Sequence, residues 1–101
     1  MKQKNTCGLK SKVVVYPGMG GWRFLVLPKK ESGEIKKEFG RYAKGWGSLP
    51  VSVTIGKTVW KTSIFPDKKS GTYLLPLKAK VRKVEDILDD DTVKFTIELQ
   101  K

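Results

Sequence analysis

Basic and aromatic side chains occur together at three places in this chain, and that combination could bind a polyanion. Lysine and arginine neutralise phosphates, and an exposed aromatic ring can stack on an unpaired base. Trp46 stands between two glycines, which favours its exposure, and Tyr42 lies nearby. The alternative is a solvated lysine surface that has no partner. The candidate residues on the first hairpin, the loop after the first helix and the next hairpin are Lys10, Lys12, Arg23, Arg41, Lys44, Trp46, Lys57 and Lys61.

The overall charge favours the same class of partner. The 101 residues include 21 lysines and arginines against 10 acids, which gives a net charge of +11, and no acid precedes Glu31. Such an excess favours nucleic acid or an acidic protein. Cys7 is the only cysteine, so no internal disulfide can form, and this fits a reducing compartment. With no signal peptide or membrane span in the sequence, we expect a cytoplasmic protein with no membrane partner.

The residue types argue against catalysis. The sequence contains no histidine, which removes Ser-His and Cys-His nucleophiles and the commonest metal ligand. Cys7 has no base within sequence reach, so an inert thiol is expected. The acids between Glu85 and Asp91 could gather a hard cation, but their spacing does not match an EF-hand loop. We therefore expect no enzyme, no catalytic residue, no metal site and no cofactor.

A glycine-rich stretch, Gly18-Met19-Gly20-Gly21, could cradle a phosphate. It leads into a strand and lacks the lysine-serine ending of a P-loop. A glycine-rich hairpin loop is the better interpretation.

Alternating apolar residues predict several short strands that could hold these side chains in place. The clearest is Thr92 to Leu99; Trp22 and Trp60 lie on apolar strand faces and are expected in the core. Two short helices are predicted, one with Ile35 and Phe39 on one stripe and one over residues 79–84. The six predicted strands cover residues 10–16, 22–27, 51–55, 58–65, 72–75 and 92–99.

The chain also looks like one unit used twice. Leu27-Pro28 and Leu75-Pro76 each follow a strand and precede a helix and another strand. Pro76 is expected to repeat the role of Pro28, and Ser32 offers an alternative cap for a first helix that begins late. These features predict a mainly β, single-domain barrel of about six to seven strands with two short helices. We expect residues 1–8 to form a flexible basic tail and residues 9–101 to form the barrel.

Several motifs follow one another in a specific order along the chain. They are Trp22, Leu27-Pro28, Phe39-Gly40, Val51-Ser52-Val53-Thr54-Ile55-Gly56, Gly71-Thr72-Tyr73-Leu74-Leu75-Pro76-Leu77, Arg82 and Asp91-Thr92-Val93. Their order and spacing resemble the domain-of-unknown-function family nineteen-oh-five. The resemblance covers nearly the whole chain from about Val13 and implies a small soluble prokaryotic protein with a double-split β-barrel. No activity is established for that family, so the resemblance transfers a fold and no function.

A second likeness concerns the last part of the chain. Leu75-Pro76, Val81-Arg82 and Asp91-Thr92-Val93 are similar to the swapped-hairpin DNA-binding domains of the AbrB and MazE type. Those domains carry a proline, an arginine after a short helix and a Gly-Asp turn, and Asp90 stands here in place of their glycine. In those proteins two chains each supply one unit to a barrel, whereas two units in one chain imply that this chain closes the barrel alone.

Three hypotheses for the function follow. The first is a non-enzymatic binding module for nucleic acid or another polyanion. The second is a protein-interaction or accessory domain, which would need an exposed apolar patch around Tyr42 or Trp46, or an open strand edge. The third is an enzyme that would need a cleft with a pKa-shifted group. A monomer or weak dimer is expected.

Overall fold

A computed structural model describes residues 6–16 and 21–100 of the chain. In these ranges it contains six strands and two α-helices, and two short 3₁₀ turns, Gly40–Tyr42 and Gly45–Gly47, follow the first helix. The helices are α1, Lys29–Phe39, and α2, Ala79–Val84. The strands are β1, Thr6–Tyr16; β2, Trp22–Val26; β3, Leu49–Ile55; β4, Thr58–Asp67; β5, Thr72–Pro76; and β6, Thr92–Leu99.

The six strands form a closed barrel. Each strand pairs antiparallel with two neighbours, in the ring order β1-β2-β5-β4-β3-β6. Each strand has a neighbour on both sides, so the sheet has no edge strand. Residues 6–12 of β1 pair only with β6, and residues 58–64 of β4 pair only with β3. The predicted mainly β, single-domain barrel with two short helices is confirmed.

Two copies of one unit build this barrel. The first is β1-β2-α1-β3 and the second is β4-β5-α2-β6, and the copies meet where Leu25 lies opposite Leu75. The contacts beside this pair are reciprocal, because Leu27 N–H donates to the Tyr73 carbonyl at 2.9 Å and Leu77 N–H to the Arg23 carbonyl at 2.8 Å. The repeat read from the sequence is therefore present in the fold.

The matching of the two Leu-Pro pairs was wrong. Leu27 corresponds to Leu77, so Pro28 corresponds to Lys78 and not to Pro76. Pro28 caps the start of α1, whereas Pro76 is the last residue of β5 and lies opposite Phe24. Because proline lacks an N–H, it suits both a strand end and the start of a helix, and the sequence alone could not separate these roles.

Ser32 connects α1 to the barrel instead of capping a late helix start. The helix begins at Lys29, before Ser32, so the alternative cap is wrong. The Ser32 side chain is 2% exposed, and its Oγ accepts a hydrogen bond from Tyr73 N–H at 3.0 Å. This bond satisfies a buried backbone donor of β5, which explains a polar residue on the inner side of α1.

Inward-facing apolar residues of every strand fill the barrel. On β6 they are Val93, Phe95, Ile97 and Leu99, which alternate with polar residues as the sequence predicted. The helices add further apolar residues to the same cluster. Trp60, which was expected in the core, packs against this cluster but is only partly buried. The helical contributions are Ile35 and Phe39 from α1 and Val81 from α2.

One expectation for the start of the chain was wrong, and two others concern residues that the structure does not describe. The predicted tail boundary at residue 8 is wrong, because Thr6 to Gly8 belong to β1 and pair with β6. The rest of that tail, residues 1–5, and most of the glycine-rich loop, residues 17–20, lie outside the described residues. Gly21, at the end of that loop, has a φ of +72°, a conformation that glycine adopts at little cost.

Trp22 is not a core residue. Its side chain is 55% exposed on the outer side of β2, so the sequence-based placement was wrong. Both sides of β2 are largely apolar, and a closed barrel can bury only one of them inside. Leu25 takes the inner side and is fully buried, which leaves Trp22 outside.

Candidate functional site

Lysine side chains gather on the outer side of β1 and β6. Leu9 and Val13 point into the barrel, so the residues between them at even positions, Lys10 and Lys12, point outward and are exposed. Lys10 lies directly opposite Lys94 of β6 in the antiparallel pairing. Lys61 of β4 lies opposite Ser52 of β3, on the same outer side. We call this surface the lysine face; its members are Lys10, Lys12, Lys61 and Lys94, with Lys57 in the adjoining turn.

A shallow groove of about 580 Å³ runs across the lysine face. Lys10 and Lys94 stand on its wall, and the hydroxyls of Thr54 and Thr96, which lie opposite each other, contribute hydrogen-bonding groups. Gly8 gives the groove its depth, because a Cβ there would meet no atom within 4 Å. Cationic and hydroxyl groups around an open floor are suited to phosphate oxygens.

The lysines of this face have no acidic partner. Over residues 6–16 and 21–100 the one ion pair is between Arg23 and Asp89, on another part of the barrel. Lys10 and Lys94 place like charges directly across two paired strands, which costs stability unless an anion lies between them. Glu98 is the acidic residue on the outer side of β6. The face therefore keeps a net positive charge.

A second cationic group extends the lysine face at its other end. Arg41 and Lys44 line a cleft of about 430 Å³ together with Pro50 and Gln100. Pro50 continues the outer side of β3, and its carbonyl accepts a hydrogen bond from Gln100 N–H at 3.0 Å just after β6. From Lys94 to Gln100 the strand rises by about 20 Å. Cations thus stand at both ends of a strip of that length.

An aromatic ring accompanies this second group. The Arg41 guanidinium lies 5.7 Å from the centre of the Tyr42 ring, which is itself partly exposed. Trp46 is 96% exposed, so its predicted exposure is confirmed. Trp46 belongs to a different part of the surface, since the following residue, Gly47, lies against Pro66 near the end of β4. Tyr42, and not Trp46, is the ring next to the strip.

Arg23 does not belong to the cationic set in which the sequence placed it. Its Nε and Nη2 donate to the two carboxylate oxygens of Asp89 at 3.0 and 3.1 Å, and Nη1 donates to the Gly21 carbonyl. The hydrogen bond from Arg23 lowers the pKa of Asp89 below its ordinary value. The sequence could not reveal a partner 66 residues away.

Two groups of candidate residues were missing from the sequence-based set. The alternation of β6 could have shown that Lys94 points outward, but the sequence does not show that it lies opposite Lys10. The second group is a groove beside Trp22, with Phe65 and Arg82, which we call the aromatic groove. The sequence did not predict this groove, because the positions of Trp22 and Phe65 in their strands are equally compatible with the core.

The side chains of three of the acids between Glu85 and Asp91 have separate partners, and one of these is Asp89 with Arg23. Glu85 accepts a hydrogen bond from the Thr58 hydroxyl at 2.5 Å, and Asp91 accepts one from Leu88 N–H at 2.8 Å. Among the residues that the structure covers, no group of three acids, cysteines or histidines could hold a metal ion. These acids work as turn and strand connectors.

Cys7 lies on β1 and is partly buried against the core. Burial raises the pKa of its thiol, and the negative charges of Glu31, Glu34 and Glu38 raise it further. A raised pKa keeps the sulfur protonated at neutral pH and lowers its reactivity.

Comparison with known proteins assigns the chain to a family. The family model described as Domain of unknown function (DUF1905) matches residues 10–97, which is most of the chain. No curated protein matches the chain. Within the described residues, no helix has the length and apolar character to cross a membrane.

Proposed function

The chain belongs to the DUF1905 family, and we propose that it is a non-enzymatic module that binds nucleic acid through the lysine face. Single-stranded nucleic acid is the form that this surface fits best. Phosphates would contact Lys10, Lys94 and their neighbours, and a base would stack on Tyr42. The single observation that carries this proposal is the opposition of Lys10 and Lys94 on a hydroxyl-lined groove without an acidic partner.

The cross-strand pair of Lys10 and Lys94 is informative because two like charges at these positions destabilise the free barrel. Opposite-charge pairs at such positions stabilise a sheet, and like charges destabilise it. A bound phosphate between the two ammonium groups would reverse the sign of this interaction. An arrangement that costs stability in the free protein and becomes favourable with an anion is typical of a binding surface.

The shape of the strip favours a single strand over a duplex. The groove is a shallow depression on a curved barrel wall, and among the described residues neither a helix nor a ribbon projects from it to enter a duplex groove. Single strands bind along cationic tracks that offer an aromatic platform. Tyr42, with Arg41 beside it, supplies such a platform at one end of the strip.

The non-enzymatic part of the proposal is supported by the amino-acid composition. The sequence has no histidine, and its one cysteine has a raised pKa. A single cysteine, which cannot form an internal disulfide, also fits a reducing compartment. We therefore propose that the protein acts in the cytoplasm of a prokaryotic cell.

A charge-reversal experiment tests the proposal. We would titrate a fluorescently labelled single-stranded oligonucleotide with the protein at low salt and follow its anisotropy. The double variant Lys10→Glu/Lys94→Glu is expected to bind at least about tenfold more weakly, since two phosphate contacts are lost and repulsion replaces them.

The matched control is Lys68→Glu/Lys69→Glu. It changes the net charge by the same amount in the exposed loop between β4 and β5. We expect it to bind within about threefold of the wild type, because only the long-range field changes. Equal losses in the two double variants would show that binding follows net charge and not the lysine face, and the proposal would fail.

A further inference from the structure

The aromatic groove shares no residue with the lysine face and lies between the start of β2, the second half of β4, the end of β5 and the start of α2. It has a volume of about 570 Å³. Cavities of this size commonly hold small organic molecules. Its walls combine two chemistries, one apolar and one cationic, and its principal residues are Trp22, Phe65 and Pro76 together with Arg23, Lys78 and Arg82.

The apolar wall is fixed before any ligand arrives. Trp22 is 55% exposed, yet its ring stacks on Phe24 with centres 6.1 Å apart and an angle of 22° between the planes. Phe24 is in turn held edge-on by Tyr16 at 4.9 Å. Phe65 leaves 37% of its surface exposed on the other side of the groove. Rings that are already ordered lose little entropy when a ligand binds.

The cationic wall contains hydrogen-bond donors that have no partner among the described residues. Arg82 Nε donates to the Leu77 carbonyl at 3.3 Å, which orients the guanidinium, while neither Nη atom has a hydrogen-bond partner in the described part of the chain. Lys78 is exposed beside it. Arg23 is held by an ion pair with Asp89 and a hydrogen bond to the Gly21 carbonyl. The hydrogen bond from Arg23 and the charge of Arg82 both lower the pKa of Asp89, so this carboxylate is shared between two arginines. With Lys78 the wall has three cations against this one acid, and it keeps a net positive charge.

We propose that the aromatic groove binds a small organic anion with a flat apolar body. The apolar body lies against Trp22 and Phe65, and the anionic group, a carboxylate, sulfonate or phosphate, accepts hydrogen bonds from the Nη atoms of Arg82. Guanidinium groups bind such oxygens in a planar, bidentate manner. Lys78 adds charge at the rim. The ligand class follows from this pairing, since an uncharged ring would leave Arg82 unused and an inorganic ion would leave the rings unused.

A pair of dyes tests the proposal. 1-Anilinonaphthalene-8-sulfonate carries an aromatic body and a sulfonate, and N-phenyl-1-naphthylamine has the same body without the charge. We expect the sulfonate dye to bind one to one, with energy transfer from tryptophan, and about tenfold more tightly than the neutral dye. Arg82→Gln should weaken the sulfonate dye about tenfold and leave the neutral dye within about twofold.

Tryptophan variants provide the matched comparison. Trp22→Ala should reduce the affinity for both dyes about tenfold, whereas Trp46→Ala, which removes a more exposed tryptophan elsewhere, should change neither by more than about twofold. Circular dichroism checks that each variant is folded; if Arg82→Gln is not, Lys78→Glu tests the charge requirement, with an expected loss of about threefold or more.

Three results would overturn the proposal. They are equal affinity for the two dyes, equal effects of the two tryptophan variants, and light scattering that shows a dimer lost in Trp22→Ala. The last would assign the groove to contact between two copies of the chain. None of these results depends on binding of an oligonucleotide, so the groove and the lysine face can fail separately.

Discussion

The outer sides of β6 and β2 carry opposite chemistry, although both strands belong to one closed ring and bury similar residues inside it. β6 alternates strictly, so its outer side is polar and presents Lys94. β2 is apolar on both sides, so its outer side presents Trp22 and covers Phe24. In a closed barrel the inner side of each strand is committed to the core. Only residues on the outer side can therefore contact a ligand.

The charges on the two surfaces also differ in how they are held. Arg23, beside the aromatic groove, is fixed by two hydrogen bonds to Asp89. Lys10 and Lys94 have no such partner and lie opposite each other. A neutralised cation orders a local structure, whereas unneutralised cations attract a polyanion over a distance. In the aromatic groove the ion pair of Arg23 orders the wall beside the spare donors of Arg82, which suits a small, defined ligand. The lysine face has no such order and suits a long, flexible one.

The largest expected effect comes from the core that the two surfaces share. Leu75 lies beneath the aromatic side and Ile97 beneath the lysine face, and both are fully buried. Leu75→Ala and Ile97→Ala should each lower the free energy of unfolding by about 2–5 kcal/mol. Urea denaturation should show one transition for each variant, because the barrel is one cooperative unit.

The control for these core variants is Leu88→Ala, at an exposed leucine. Its free energy of unfolding should stay within about 0.5 kcal/mol of the wild type. Either core variant could instead show two separate unfolding transitions, one for the part of the barrel that carries each surface. That result would mean that the two surfaces belong to halves that unfold independently.

A smaller effect is expected from the cross-strand pair. Lys94→Glu turns the like-charge pair with Lys10 into an opposite-charge pair. We expect the free energy of unfolding to rise by about 0.2–1 kcal/mol while oligonucleotide binding weakens. Lys69→Glu, the same charge change in a loop, should leave stability unaltered. A fall in the stability of Lys94→Glu would show that the lysine pair carries no strain in the free protein.

The smallest effect concerns Asp89 and pH. Its pKa is lowered in the folded state by the hydrogen bond from Arg23, so its stabilising contribution is present above the unfolded pKa of about 3.9 and is lost as pH falls through the folded value. Asp89→Asn should therefore be less stable than the wild type at neutral pH. The difference in melting temperature should shrink below about pH 4.

Asp90→Asn serves as the control in the same pH series. Asp90 is exposed and makes no hydrogen bond or ion pair with another described residue. It also has a φ of +69°, which asparagine tolerates. A difference for Asp89→Asn that stays constant down to pH 2.5 would show that its ion pair with Arg23 does not contribute.

The fold could be predicted from the sequence wherever local periodicity and burial agreed. β6 alternates cleanly, and the helix over residues 79–84 was predicted with the bounds it has. The predicted strands 51–55 and 58–65 leave a two-residue turn, Gly56-Lys57, between them, and Gly56 there has a φ of +57°. These features depend on neighbours in the chain, and so the sequence carries them directly.

The functional surfaces could be predicted only in part, because they depend on contacts between distant segments. Lys10 and Lys12 were found from charge alone, but their neighbour Lys94 is more than 80 positions away. Trp22 was misplaced because an apolar residue on a two-sided apolar strand does not reveal which side faces the interior. Arg23 was misassigned because its partner, Asp89, is set by the closure of the ring.

The most direct test of the central claim is the salt dependence of oligonucleotide binding. If roughly five phosphates are neutralised, the logarithm of the association constant should fall against the logarithm of salt concentration with a slope of about −4. In Lys10→Glu/Lys94→Glu the slope should be shallower by about 1.5, whereas Lys68→Glu/Lys69→Glu should keep the wild-type slope. No anisotropy change with micromolar protein at low salt, or one slope shared by all three proteins, would contradict the assignment of nucleic-acid binding to the lysine face.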